Sequence, residues 1–285
     1  MQDDDPNVID LNPQAEQMAD ESMVRGLAAQ AVAIWPQESA LIDAYSLPTE
    51  IAIADIGCGT GEISTRLAEK FPQACISGVD IIESHVALAR ERYTHFGERV
   101  KFRVGDAFAL DFEDNSFDFA LNRHMLQSIP NPEAVLMELV RILRPGGRLH
   151  VLAEDYGMIK FGPARKETDR FYLDGVRQFG IKTGTDLHIG RNCYALLKQL
   201  KLHDIRVNYV VVDSLRVARE VIAAILEAWR DGYHAPIAEH TNISLEESLD
   251  YFNAMIECAR DPNGYVVWQV PILSALKPDM QRQLS

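Results

Sequence analysis

Apolar positions along the chain follow two periods that alternate. Ile51-Ala52-Ile53-Ala54-Asp55-Ile56 is a nearly continuous apolar run between Pro48 and Gly57. Such a run marks a strand buried on both faces. Glu62 to about Lys70 follows with helical spacing, then a strand at Cys75–Val79 and a helix from Ser84 to about Phe96. Val100–Val104 and Phe117–Leu121 read as the third and fourth strands, separated by the turn Asp114-Asn115-Ser116. Asn131-Pro132 opens a helix through Val135, Leu139 and Ile142, and Arg144-Pro145-Gly146-Gly147 stops it before a fifth strand at Arg148–Ala153. Strand alternating with helix predicts an α/β fold with a doubly wound parallel sheet.

The flanks are less regular. Met23 to Ile34 has helical spacing and is predicted to end at Pro36, with a second short helix over Ser39–Tyr45, so that 23–48 form an N-terminal helical cap on a main domain of 49–285. Residues 157–191 are rich in glycine, aromatic and charged side chains. Beyond them the pattern predicts a helix at Asn192–Leu202, a strand at Asp204–Val212, helices at Val217–Arg230 and Leu245–Ala259, a turn at Asp261–Gly264 and a last strand at Tyr265–Ile272. No internal repeat interrupts this order.

Composition narrows the class. The chain has 285 residues, 47% of them hydrophobic, and 28 Lys and Arg against 42 Asp and Glu leave a formal charge of −14. An acidic balance argues against a nucleic-acid surface or a polybasic membrane anchor. No stretch approaches the roughly 20 apolar residues of a membrane helix, and the acidic start lacks the pattern of a secretory signal. Half of the charge lies in residues 1–22, which hold Asp3, Asp4, Asp5, Asp10, Glu16, Asp20 and Glu21 and no Lys or Arg. That segment is expected to be a mobile acidic tail. Cys58, Cys75, Cys193 and Cys258 are scattered without a C-x-x-C pair, which predicts reduced thiols, a cytoplasmic setting and no metal.

The informative segment is Ala54-Asp55-Ile56-Gly57-Cys58-Gly59-Thr60-Gly61, between a predicted strand and a predicted helix. Glycines at the carboxyl end of a parallel strand let backbone and ligand touch. The dinucleotide fingerprint G-x-G-x-x-G needs a glycine at 62, where the chain has Glu62, and no Gly-Lys-Ser/Thr follows for a phosphate loop. Glu62 at the helix start would repel a pyrophosphate. A nucleoside ligand without phosphates fits better. Asp80, after the second strand, is placed to accept both ribose hydroxyls, and Asp106, after the third, to accept from an adenine amino group. The alternative roles are a helix cap and a turn residue.

These residues resemble the class I S-adenosylmethionine-dependent methyltransferases, in the small-molecule branch. The resemblance runs from about Ile51 to Ala153 through Asp55-Ile56-Gly57-Cys58-Gly59-Thr60-Gly61, Gly78-Val79-Asp80, Gly105-Asp106-Ala107, Phe117-Asp118-Phe119-Ala120 and Leu143-Arg144-Pro145-Gly146-Gly147. It implies a Rossmann-like, seven-stranded, mostly parallel sheet whose final strand is antiparallel. It implies that Asp55 and the Gly57 and Gly59 backbone hold the methionine end of the cofactor, with Gly61 also in the cofactor site, Asp80 the ribose, Ile81 the adenine face, and Asp106 and Ala107 the adenine edge. Asn122 is implied near the sulfonium and the methionine part. Arg123, next to it, is by its own chemistry a candidate to bind a carboxylate of the cofactor or of the substrate, the alternative being a surface ion pair. The segments at about 157–191 and 213–263 exceed this core, and are expected to cover the substrate or mediate contact in a homodimer.

An activated methyl needs an aligned nucleophile, exclusion of water and sometimes a base. Past the fourth strand stand Arg123, His124 and Gln127, and past the fifth Glu154, Asp155 and Tyr156. His124 is a candidate base, its alternative being a packed histidine. Glu154 and Asp155 are candidate bases or binders of a cationic substrate, and Tyr156 opens an aromatic stretch with Phe161, Phe171, Tyr172, Phe179 and Tyr194. The leading expectation is methyl transfer to O, N or C of a small molecule. The alternatives are cyclisation or aminocarboxypropyl transfer with the same cofactor, and a non-catalytic binding module.

Overall fold

The computed structural model describes residues 10–279. Its centre is β1, Ala52–Ile56, buried from Ile53 onward and flanked in parallel by β2, Cys75–Asp80, and β4, Phe117–Arg123. β3, Val100–Val104, pairs with β2, and β5, Leu143–Leu152, with β4. Three helices cover this half: α3 at Glu62–Lys70, α4 at Glu83–Arg92 and α5 at Pro132–Ile142. α5 starts as its sequence demands, with Pro132 at the first turn and the Asn131 side chain accepting from the Ala134 amide.

The other half is antiparallel. A long closing strand, Tyr265–Leu276, pairs with β5 through its second part. Its first part pairs with β6, Ile159–Gly162, and β7, His203–Asp213, runs along it as well. Numbered in order the closing strand is β8, antiparallel as expected. The sheet therefore has eight strands rather than seven. The extra one, β6, is four residues drawn from the irregular 157–191 segment, too short to show a period of its own.

The N-terminal part differs most from its expectation. Residues 1–9 of the expected mobile tail lie outside the described residues, but 10–22 are built into the protein. α1 spans Ala15–Ala19, and Asp20 caps α2 by accepting from the Ser22 amide at 2.8 Å. Gln14 is buried and bonded to Thr185 and Tyr233. α2 then runs unbroken over Glu21–Asp43 with Pro36 inside it, where two short helices were expected. Proline removes one helical hydrogen bond, but anchors just beyond it hold the helix in line. The Gln37 side chain pairs with both backbone groups of Val211 on β7, and Glu38 is bound to Arg123. Tertiary bonds outweigh the local break.

The 157–191 segment continues through α6, Thr168–Phe171, a π-turn at Tyr172–Val176, and α7, Arg177–Thr183, before α8, Ile189–Gln199. The 213–263 segment is two helices, α9 at Arg219–His240 and α10 at Leu245–Arg260. α9 outruns its expected end at Arg230 and passes through Pro236. α9 packs on α2 and on α10. Together with α6 and the π-turn they pack on one face of the sheet, where Phe171, Trp229, Phe252 and Met255 share a core with Val212 of β7 and Trp268 of β8. No helix among the described residues is long and apolar enough to cross a membrane.

The turn that delivers β8 into the sheet leaves no room for a side chain. A Cβ on Gly264 would stand 2.1 Å from the Cys258 carbonyl oxygen. Gly264→Ala is therefore expected to lower stability by at least about 1–3 kcal/mol, the cost of an overpacked site. Urea unfolding with an unchanged midpoint would contradict this packing.

Candidate active site

Strand register gathers the site. Ile56 lies level with Val79 on one side and Asn122 on the other, and Asp80 is level with Val104. Gly57, Asp80, Gly105-Asp106 and Arg123 therefore emerge together at the carboxyl edge, although they span 67 positions of sequence. That edge is where open α/β sheets bind ligands. A cleft of about 780 Å³, counting its open mouth, lies there. Its walls include Gly57, Gly59, Asp80, Ile81, Asp106, Ala107, Phe108, Arg123 and His124.

The glycine turn is built for close approach. Gly57, Gly59 and Gly61 have φ of 77°, 53° and 84°, a region that side chains disfavour. A Cβ on Gly57 would also stand 2.9 Å from the Met125 sulfur. Gly61 serves differently from its expected role. It starts α3 in the left-handed conformation and does not line the cleft. A Cβ there would stand 2.7 Å from Phe102, so its smallness seats the helix on the sheet.

Asp80 accepts from the Gly59 amide at 2.7 Å through one oxygen and from the Ile82 amide at 2.9 Å through the other. Each oxygen keeps a free lone pair at the cleft wall. Burial pushes its carboxyl up from the ordinary range, against the bonds from the two amides. Ile81 is 43% exposed, an apolar surface awaiting a flat partner. Asp106 turns back to accept from the Phe108 amide, as a turn residue does, while still lining the cleft.

A smaller cavity at the glycine turn is lined by Asp55, Gly57, Gly59, Arg123 and His124. Asp55 accepts from the Ser64 hydroxyl at 2.6 Å, and burial raises its carboxyl to about 6. Arg123 spends its Nε on Glu38 at 2.8 Å and leaves Nη2 buried without a partner. One acid and one base at the same end match an amino acid zwitterion, so the residues present fit a nucleoside joined to a methionine. Asn122 is different. It lies buried beneath the cleft, its Nδ2 donating to the Ile56 carbonyl at 2.7 Å, and it is absent from the walls.

His124 and Glu154 close the end of the site. β4 and β5 are paired with Arg123 level with Leu152, so the residues just past them meet. His124 has φ of 54°, sparse for a residue with a side chain. Its Nδ1 lies 2.5 Å from Glu154 Oε1, while His124 Nε2 and Glu154 Oε2 are buried without partners. A carboxylate at Nδ1 keeps the proton on that nitrogen and leaves Nε2 a lone pair. Tyr156 stands on the far side. Burial first, and then Glu154, push its phenol well above the ordinary 10, so it stays protonated. Asp155 is a structural acid instead, gripped by Arg191 Nε and Nη2 at 2.5 and 2.7 Å.

A second cavity of about 470 Å³ adjoins the cleft, and Gln14 and Ser128 line both. Of the expected aromatic stretch, Tyr156, Phe171, Tyr172 and Phe179 line it. Phe161 stacks on Tyr172 behind them, and Tyr194 is exposed elsewhere. Trp229, Tyr233 and Phe252 on α9 and α10 complete the wall. Trp229 and Phe252 fall within helices that the sequence predicts, but Tyr233 lies past the expected end at Arg230, and the cavity that all three face was not legible. Gln14 and Met18 were missed because the acidic, proline-bounded stretch around them carries no apolar period. Among the described residues, no three His, Cys, Asp or Glu stand together as metal ligands do.

Comparison with known proteins bears on the first part of this chain. A family model described as a methyltransferase domain matches residues 49–172. Demethylmenaquinone methyltransferase of Thermus thermophilus is 38% identical over 100 residues, 35% of this chain and 46% of that protein. The chain thus spans about half of that relative's length, and 23% of phosphoethanolamine N-methyltransferase 2 of Caenorhabditis elegans. Among solved structures, phosphoethanolamine N-methyltransferase 2 of Haemonchus contortus, in complex with phosphomonomethylethanolamine and S-adenosylhomocysteine, aligns with a TM-score of 0.60 at 20% identity. That alignment covers 95% of this chain and 61% of the other. The [4+2]-cyclase SpnF aligns at 0.52 with 23% identity, over 85% and 81%. These two likenesses concern the fold.

Glu38 links α2 to this site. It is wholly buried and accepts from Arg123 at 2.8 Å, with His150 Nε2 3.0 Å away and the Tyr45 hydroxyl 2.9 Å from Nδ1 on the far side of the histidine. Burial would raise its carboxyl, but Arg123 and His150 overcome that and hold it at about 2 against an ordinary 4.5. A depressed carboxyl stabilises the fold fully above about 4.5 and loses that contribution as pH falls toward 2. Melting temperature followed over that window should fall more steeply in the wild type than in Glu38→Gln. Parallel curves would refute the pairing.

Proposed function

We propose, from the match of residues 49–172 to a methyltransferase-domain model and the fit of the cleft to a nucleoside joined to methionine, that the protein is a class I S-adenosylmethionine-dependent methyltransferase and transfers the methyl of S-adenosylmethionine to a hydroxyl of a small molecule. The observation that carries the choice of a hydroxyl is the buried pair of His124 and Glu154 at 2.5 Å, with Nε2 of the histidine unpartnered. A hydroxyl, unlike a neutral amine, becomes a good nucleophile when a base takes its proton.

S-adenosylmethionine, when bound, supplies a methyl on a sulfonium that is already activated toward in-line attack. The chain's own residues do the rest. Asp80 holds the ribose hydroxyls, Ile81 and Ala107 the adenine, and Asp55 and Arg123 the ammonium and carboxylate of the methionine part. The aromatic cavity holds the acceptor, and Gln14 and Ser128 mark its junction with the cleft. His124 takes the acceptor's proton at Nε2. Glu154 fixes the imidazole and stabilises the charge it gains. Walls of Trp229, Phe171 and Phe252 exclude water. The four unpaired cysteines support a reducing, cytoplasmic setting.

The test is turnover with methyl-labelled S-adenosylmethionine and an acceptor found by mass spectrometry. His124→Asn is expected to lower kcat by about 10²–10⁴-fold and leave cofactor affinity, measured by calorimetry, nearly unchanged. Asp80→Ala should do the reverse, weakening affinity first. Methylthioadenosine as the product in place of S-adenosylhomocysteine, or an undiminished rate in His124→Asn, would overturn this reading.

A further inference from the structure

The cavity beside the cleft has walls of unusual uniformity. Seven aromatic side chains line it, and among the described residues none of its lining groups is an Asp, Glu, Lys, Arg or His. Its three phenols stay protonated, since burial pushes each of them above the ordinary 10. Two of them are already engaged. Tyr233 donates to Gln14 at 3.2 Å, and Tyr172 donates to the Met255 sulfur at 3.4 Å. Gln127 is the exception. It is 3% exposed, lines the cavity, and its Oε1 is buried without a partner. A buried amide oxygen left unpaired calls for an explanation, and a donor on a ligand supplies one.

We propose that this chamber selects an uncharged, largely apolar acceptor that presents a flat ring to the aromatic walls and one hydrogen-bond donor to Gln127, and that it rejects phosphorylated and cationic molecules. The proposal rests on the methyl-transfer reading, because it names the second ligand of that site. Aromatic walls favour ring against ring, offset or edge to face. A phosphate buried here would have no countercharge. An ammonium would meet ring faces, but no carboxylate among the lining residues pairs with it to offset the loss of its hydration. The chamber thus differs in chemistry from what a phosphoethanolamine acceptor requires, whatever the likeness in fold. Most of its lining lies past residue 172, outside the part that the family model matches.

The experiment is calorimetry on the full chain saturated with S-adenosylhomocysteine, using four probes of one ring size: 2-naphthol, naphthalene, 2-naphthyl phosphate and 2-naphthylmethylamine. The expected order is 2-naphthol first, naphthalene about tenfold weaker for want of a donor, and no measurable binding of the phosphate or the amine. Gln127→Met should erase the tenfold advantage of 2-naphthol while leaving naphthalene unchanged. Where that variant does not fold, Gln127→Asn, which withdraws the amide by one methylene, reads the same loss. Charged probes binding as tightly as 2-naphthol, no binding by any probe, or a naphthol advantage that survives in a folded variant would overturn the proposal. The S-adenosylhomocysteine titration is a separate arm. Its failure would sink the methyltransferase reading, while the ranking of the four probes would still judge the chamber.

Discussion

One buried carboxylate holds the assembly in register. Glu38 sits wholly out of water on a helix that lies over the sheet, and a charge there is tolerable only when opposed. Arg123 at the end of β4 and His150 within β5 oppose it. The pairing fixes α2 against two adjacent strands, and α2 in turn carries α9 and the rest of the helical cover. It also determines how Arg123 faces the cleft, because the guanidinium is tethered by Nε and keeps Nη2 for something else. A single ion pair thus joins the placement of the cover to the electrostatics of the site.

How much of this was legible in the sequence depends on whether the signal was local. The first five strands and their helices carry apolar runs bounded by glycine and proline, and the structure has them within a few residues. Asp80, Ile81, Asp106 and Ala107 line the cleft because strand ends are positions that a pattern can locate. Asn122 and Gly61 were harder. Position in the motif located them near the ligand, but only packing shows that one braces Ile56 from beneath and the other seats a helix on Phe102. The N-terminal segment was illegible for a further reason. Gln14 is held by Thr185 and Tyr233, partners 171 and 219 positions away, and nothing adjacent in sequence announces them. Pro36 misled in the same way, since Gln37 and Glu38 are anchored by residues far along the chain.

The site also divides by origin. The nucleoside cleft is made mainly from loops that follow β1 to β4, in the part that matches a methyltransferase-domain model, with the N-terminal segment along one side. The aromatic chamber is made mostly from α6, the π-turn, α7, α9 and α10, largely beyond the matched residues. His124 and Glu154 stand at the border, just past strands of the first part, with Glu154 beside Tyr156 of the chamber wall. Rigid strand ends suit a reacting pair, because neighbouring strands hold both positions to a fraction of a side chain's length. Helices suit the chamber, because a change of one face alters its shape without disturbing the sheet.

The segment from Asn12 to Met18 borders the cleft, and its Gln14 borders the chamber as well. Gln14 is itself tied to Thr185 and Tyr233, partners on two different parts of the cover. The two compartments therefore share one side chain, and a change at that single position alters the outline of both at once.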